Sequence, residues 1–260
     1  MFSAVWRRRG LFLGFLRREL STRYAGTLGG ALWAFVQPML LLAIYAFVFR
    51  LVFRVQLPDL GGNSYVTLVA CALWPWMAFQ EGLQRGTVAV VNNADLVRKV
   101  AFPRELLVAA AVASSFIVHL VGFGVVLAAL ALWGEHLYAS ALPLVLVGWA
   151  VLAALALGLA LLTSGMQVVL KDVDHMLGPV FMLGFYATPV LYPISMVPEA
   201  FAPWMDLNPL VHVLEPLRAA LLHGEWQVLR VLGLVLLALV GLGAGRWVFA
   251  RLATRFEDFL

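Results

Sequence analysis

Long uncharged runs alternate along this chain with short polar islands. Six windows are almost wholly apolar, at 29–49, 65–91, 106–132, 141–162, 177–192 and 228–249. Several exceed the roughly 18 residues that a helix needs to cross a hydrocarbon core. Backbone amides in lipid must be satisfied within their own segment, and the short alternating segments of a β-barrel are absent. The pattern therefore predicts an all-α integral membrane protein with six transmembrane helices in one transmembrane domain, 1–260. An even number of spans places both termini on one side.

Composition agrees with this class. Hydrophobic residues make up 63% of the chain and charged residues 12%, whereas a soluble chain would interleave charge at helical period. The cationic residues then set the orientation. Fourteen of the eighteen Lys and Arg fall in the segments that share a side with the termini: six before position 29, then Arg85, Arg98, Lys99, Arg104, Lys171, Arg246, Arg251 and Arg255. Only Arg50, Arg54, Arg218 and Arg230 fall on the other side. The positive-inside rule puts both termini in the cytoplasm, so the net charge of +4 is topological and does not point to nucleic acid.

The first 27 residues have a basic start but no apolar core followed by a small-residue cleavage site, which disfavours a removable signal peptide. Phe2, Val5, Trp6, Leu11, Phe12, Phe15, Leu16 and Leu20 recur near helical spacing among Arg7, Arg8, Arg9, Arg17, Arg18 and Arg23. Two readings fit, an interfacial helix whose arginines reach lipid phosphates and a plain topogenic tail. Cys71, alone and inside an apolar window, excludes a disulfide framework and a cysteine-based metal site. His119, His136, His175, His212 and His223 have no ligand spacing, so no metal is expected. The chain carries no GxxxxGKS/T loop, no HExxH and no GxSxG elbow, and it is not expected to be an enzyme.

Four stretches carry candidate function. Gln80, Glu81, Gln84 and Arg85 form a polar stripe at i, i+4 spacing on the second predicted span. It reads as a local ion pair, a surface lining a conduit or seam, or an ion-coupling site on Glu81. Trp74 and Trp76 lie about ten residues inside the same span, roughly 15 Å deep, beyond an interfacial aromatic belt. They are candidates for core packing or for stacking on sugar faces, and Tyr45, Phe49, Phe79, Phe185, Tyr186 and Tyr192 join them. The charged island at 92–105, NNADLVRKVAFPRE, predicts a short cytosolic helix. Asn92 or Asn93 caps it, Asp95 sits in its first turn, Arg98 and Lys99 lie near its end, and Leu96, Val97, Val100 and Phe102 give it an apolar face. Pro103 opens the third span beside Arg104 and Glu105. Finally, 194–227 is broken by Pro198, Pro203, Pro209 and Gly224 into pieces of re-entrant length. There Asn208, His212, Glu215 and Arg218 form a polar face, while Leu214, Leu217 and Leu221 are expected to meet lipid, as a gate or as a structural plug.

Four strings in order carry a resemblance: RRELSTRYAGTLGGALWAFVQPML at 17–40, NNADLVRKVAFPREL at 92–106, KDVDHMLGPVFMLGFYATPVLYPISMVPE at 171–199 and NPLVHVLEPLRAALLHG at 208–224. Together they resemble the membrane subunit of type-2 ABC exporters, in the branch that exports polysaccharides and polyol phosphates. The resemblance implies a six-span permease of a bacterial inner membrane that homodimerises, meets membrane lipids and binds two copies of a separate nucleotide-binding subunit. ATP and Mg would sit on that partner, and this chain would bind no cofactor. The ATPase contact would comprise Asp95, Leu96, Arg98, Lys99, Phe102, Arg104 and Glu105 of a coupling helix, with Arg17 and Glu19 of the interfacial helix. The conduit would be lined by Tyr45, Phe49, Trp74, Trp76, Phe79, Gln80, Glu81, Tyr186 and Tyr192, and Asn208, His212, Glu215 and Arg218 would form an outer gate. The implied substrate is a lipid-linked polysaccharide of O-antigen or capsule type, with teichoic acid as the variant within the branch. An ion-coupled small-molecule carrier using Glu81 and a membrane scaffold are the readings from other classes.

Overall fold

The computed structural model describes residues 8–23, 25–26, 29–54 and 63–260. Phe2, Val5, Trp6 and Arg7 of the expected interfacial helix lie outside them. The helices in chain order are α1 (Arg9–Thr22), α2 (Trp33–Ala46, continued by a wide π turn over Phe47–Val52), α3 (Tyr65–Val88) and α4 (Ala94–Lys99). They are followed by α5 (Glu105–Leu132), α6 (Leu142–Val169) and α7 (Val173–Ala187), then α8 (Ala202–Asp206), α9 (Pro209–His223), α10 (Val228–Ala253) and α11 (Phe256–Phe259).

Helix starts follow local chemistry. Ser64 caps α3 by accepting from the Thr67 amide, and the Glu135 carboxylate accepts the Ser64 amide at 2.8 Å from the α5–α6 turn. Asn208 caps α9 by accepting from the Leu210 amide, and Pro209 fills the first helical position, where a missing N–H costs nothing. Gly224, at φ 70°, closes α9 in the left-handed conformation that a side chain would resist.

Helix α3 lies at the centre of the bundle, packed against α5 and α6 and also against α2, α7 and α9. Seventeen of its 24 residues are buried, so it turns no broad face outward. By contrast, α10 buries only Val231, Leu234, Ala238, Gly245 and Phe249 of its 26 residues. It meets the bundle chiefly through α6, where Gly158 packs on Gly241 and Gly245. A Cβ on Gly158 would lie 2.8 Å from the Gly241 carbonyl carbon, so the two backbones meet with no side chain between them.

The expectation of six transmembrane helices is corrected here. Among the described residues four helices are long and apolar enough to cross a membrane: Trp33–Val52, Glu105–Leu132, Ala139–Val169 and Val228–Ala253. The expected spans at 65–91 and 177–192 are not among them. In α3 the cause is Gln80, Glu81, Gln84 and Arg85, which a helix wrapped by protein tolerates because its neighbours, not lipid, solvate it. In α7 the cause is length. It has 15 residues, about 22 Å at 1.5 Å per residue against a hydrocarbon core of about 30 Å, and its helix gives way at Thr188 to extended backbone.

Candidate functional site: a docked loop and a central cavity

The charged island forms one side of the basic end of the bundle. Its helical part is shorter than the expected 92–105. A 3-10 turn at Val91–Asn93 leads into α4, and residues 100–104 run without helix into α5. Val97 is buried and Leu96 half-buried, which seats α4 on the bundle, whereas Asp95, Arg98, Lys99 and Val100 are exposed. Asp95 in the first turn and Arg98 and Lys99 in the last complement the helix dipole. Asn93 holds the cap position but its side chain does not cap α4. Its Nδ2 donates to the Ala89 carbonyl at 2.8 Å, and its Oδ1 accepts from Arg18 Nη2 at 2.6 Å. Phe102 packs on Phe15 of α1 with ring centroids 5.4 Å apart. Arg104 donates to the Ala253 carbonyl at the end of α10, and Glu105 lies 3.4 Å from Arg246. The loop is therefore tied to both ends of the chain.

Behind the loop, the polar stripe of α3 is paired with other helices. Glu19 of α1 accepts from Arg85 Nη2 at 2.7 Å, while Arg17 is exposed. Glu81 is bonded to Arg23 and lies 2.8 Å from His119 Nε2 of α5. An ionised carboxylate only accepts, so Nε2 carries the proton that His119 donates. The i, i+4 pairing of Glu81 with Arg85 that the spacing allows gives way to these longer-range partners.

The Glu81 cluster borders a cavity of about 660 Å³ between α2, α3, α5 and α7. Tyr45, Trp76, Phe185 and Tyr186 form a continuous aromatic wall. Tyr45 stacks on Phe185 at 5.8 Å, Trp76 meets the same ring edge-on at 5.7 Å, and Tyr186 adjoins it at 5.5 Å. Gln80 lines the cavity and accepts from Trp76 Nε1 at 3.1 Å. The cavity thus presents aromatic faces beside amide and charged groups.

At the opposite end Arg218 is only 4% exposed. It donates to Glu215 at 2.7 Å and to the carbonyls of Pro189, Val190 and Tyr192 at 2.8, 3.1 and 3.3 Å. Asn208 donates to Thr188 Oγ1 at 2.9 Å and to the Ala187 carbonyl, and His212 Nε2 bonds the Asp206 carbonyl at 2.7 Å. The expectation that this polar face meets water while the leucines meet lipid is corrected. Leu214, Leu217 and Leu221 are buried in a helix packed on α6 and α3, and Arg218 is spent on the turn after α7.

Residues 11–222 match the profile of the ABC-2 type transporter family. The chain belongs to this family. It is similar to the O-antigen export system permease protein RfbA of Klebsiella pneumoniae, with 27% identity covering 94% of this chain and 92% of that protein. The Myxococcus xanthus protein of the same name is 29% identical over 83% of this chain and 81% of its own length. The polysialic acid transport protein KpsM of Escherichia coli is 24% identical over 80% of this chain and 79% of its own. The chain is thus a multi-pass ABC-2 membrane permease subunit related to the O-antigen and capsular polysaccharide exporters, without an ATPase domain of its own within the matched residues.

Of the conduit residues expected in this permease, Tyr45, Trp76, Gln80, Glu81 and Tyr186 border the cavity. Four do not. Trp74 is 1% exposed and packs against Gly122, Phe79 is buried beside Trp76, and Phe49 stacks on Tyr65. Tyr192 donates from its hydroxyl to the Tyr186 carbonyl. Nothing in the sequence assigns Arg23 and His119 to the cavity, and no spacing links them to Glu81. The one signal was that all three are ionisable groups in or beside apolar windows, where a partner is obligatory.

Proposed function

We propose that this permease is the membrane-spanning subunit of an ATP-driven exporter that moves a lipid-linked polysaccharide, of O-antigen or capsule type, from the cytoplasm across the inner membrane. Family membership implies a nucleotide-binding partner. In this reading two copies of that partner bind a homodimer of the chain, ATP and Mg sit on the partner, and the basic end faces the cytosol. The observation that carries the reading is α4. It is a short helix fixed by Leu96 and Val97, with Asp95, Arg98 and Lys99 turned outward where a second protein can engage them. Phe102 lies beside that face against α1.

The aromatic wall supports a glycan cargo, since ring faces stack on the apolar faces of sugars without fixing a point charge. The relatives named for O-antigen and polysialic acid transport support the same cargo class and favour it over teichoic acid. Glu81, already paired with Arg23 and His119, is a poor base for ion coupling. The test is co-purification with the neighbouring nucleotide-binding subunit, comparing wild type with an Arg98→Glu, Lys99→Glu variant. Retention by the wild type and loss on charge reversal is expected. Equal retention by both would remove α4 from the contact.

A further inference from the structure

Helix α4 and α5 are joined by residues 100–104, which form no helix, and Val100 is extended at ψ 131°. Such a linker transmits a push only where side chains brace it. Two braces lead to α10, about 150 residues away in sequence, as well as to the adjoining α5. Arg104 donates to the carbonyl of Ala253, one of the last-turn acceptors that a helix leaves without internal partners. Its guanidinium lies 5.7 Å from the centre of the Phe256 ring, a cation over an aromatic face at a helix C-terminus. Phe256 is fully buried and meets Phe249 of α10 edge-on at 5.4 Å. Glu105, in the first turn of α5, pairs with Arg246 one and a half to two turns before Ala253. Between these braces runs a groove of about 620 Å³, lined by the loop on one side and by Phe249, Ala250, Ala253 and Thr254 on the other. Among the described residues these ties join the loop to α10.

From these ties we propose that α10 is a second lever of the coupling loop, with Arg104 as the positioning residue that joins them. Displacement of the loop moves α5 directly and moves α10 through Arg104, Phe256 and the Glu105–Arg246 pair. Because α10 meets α6 backbone to backbone at Gly158 and Gly245, the two helices shift as one body. This inference rests on the reading of α4 as the partner's docking element.

The test uses the full chain with its nucleotide-binding partner. In a Cys71→Ser background, Ala101→Cys and Thr254→Cys, on opposite walls of the groove, are joined by a short bis-maleimide. If loop and α10 move together, the linked complex keeps ATP-driven polymer export within about twofold of the unlinked one. Export abolished by the link while the partner still co-purifies would overturn the proposal. In parallel, Phe256→Ala and Arg246→Gln are expected to retain the partner and ATP hydrolysis while export falls about fivefold or more. Unchanged export in both variants would also overturn it. A wild-type chain that retains no partner would remove the docking reading itself, and this inference with it.

Discussion

Arg85 on α3 and Glu19 on α1 meet at 2.7 Å across 66 positions of sequence, and this pair closes the polar stripe of the central helix with a helix from the start of the chain. The pair is partly buried, so breaking it costs more than a surface ion pair and less than a fully enclosed one. Arg85→Glu is expected to lower stability by about 2 kcal/mol. Adding Glu19→Arg restores opposite charges at the same positions and recovers most of the loss. Thermal unfolding of the three variants in one detergent checks this, and a double mutant no better than the single would show that the pair is not the stabilising contact.

The α6–α10 seam makes a sharper prediction. A Cβ on Gly245 would collide with the Gly158 carbonyl, whereas a Cβ on Gly243, two residues away, meets nothing within 4 Å. Gly245→Ala is expected to destabilise the chain by about 1–3 kcal/mol. Gly243→Ala should be neutral or slightly stabilising, since Ala restricts the unfolded chain. Melting temperatures of the two alanine variants, measured side by side, decide whether the seam is as close as the backbone indicates.

Arg218 holds the turn after α7 by donating to three carbonyls. Lysine keeps the charge but cannot reproduce the planar fork, so Arg218→Lys leaves carbonyls unpaired and loosens this turn. Limited proteolysis is expected to cut faster between 188 and 197 in the variant, with the loop at 94–104 unaffected. Equal cutting rates would mean that Asn208 and Tyr192 suffice to hold the turn.

The Glu135 carboxylate predicts a pH dependence. Burial pushes its pKa up, but the Ser64 amide and hydroxyl, Thr67 and the Arg50 charge outweigh burial and hold it below the ordinary value of 4.5. A depressed carboxylate contributes stability above its unfolded pKa and loses that contribution as pH falls through the folded one. Wild type should therefore exceed Glu135→Gln in melting temperature at neutral pH, and the gap should close below pH 4.5. A constant gap across that range would assign the effect to packing.

The helical membrane character of the chain and a short helix within the charged island were legible in the sequence. Charge is scarce here, and where it clusters, as from Asp95 to Glu105, the cluster must lie outside lipid. The number of spans was not legible, because apolarity along a helix does not say whether lipid or protein covers it. Helix α3 is covered by protein and tolerates Glu81 and Arg85. Nor were the faces legible. Trp74 and Trp76 look equivalent in sequence, yet two residues turn a helix by about 200°. One ring is sealed against Gly122 and the other borders the cavity. The partners of Glu81 came from 58 and 38 positions away, a distance that helical periodicity cannot bridge.

Reconstitution tests ATP-driven export itself. The chain, with and without its nucleotide-binding partner, is placed in liposomes carrying a lipid-linked glycan, and the arrival of glycan on the far side is read by its accessibility to a glycosidase. Translocation is expected to require ATP and both subunits, with none from the chain alone under an imposed proton gradient. Glycan movement driven by the gradient through the chain alone would rule out ATP-driven export by this subunit.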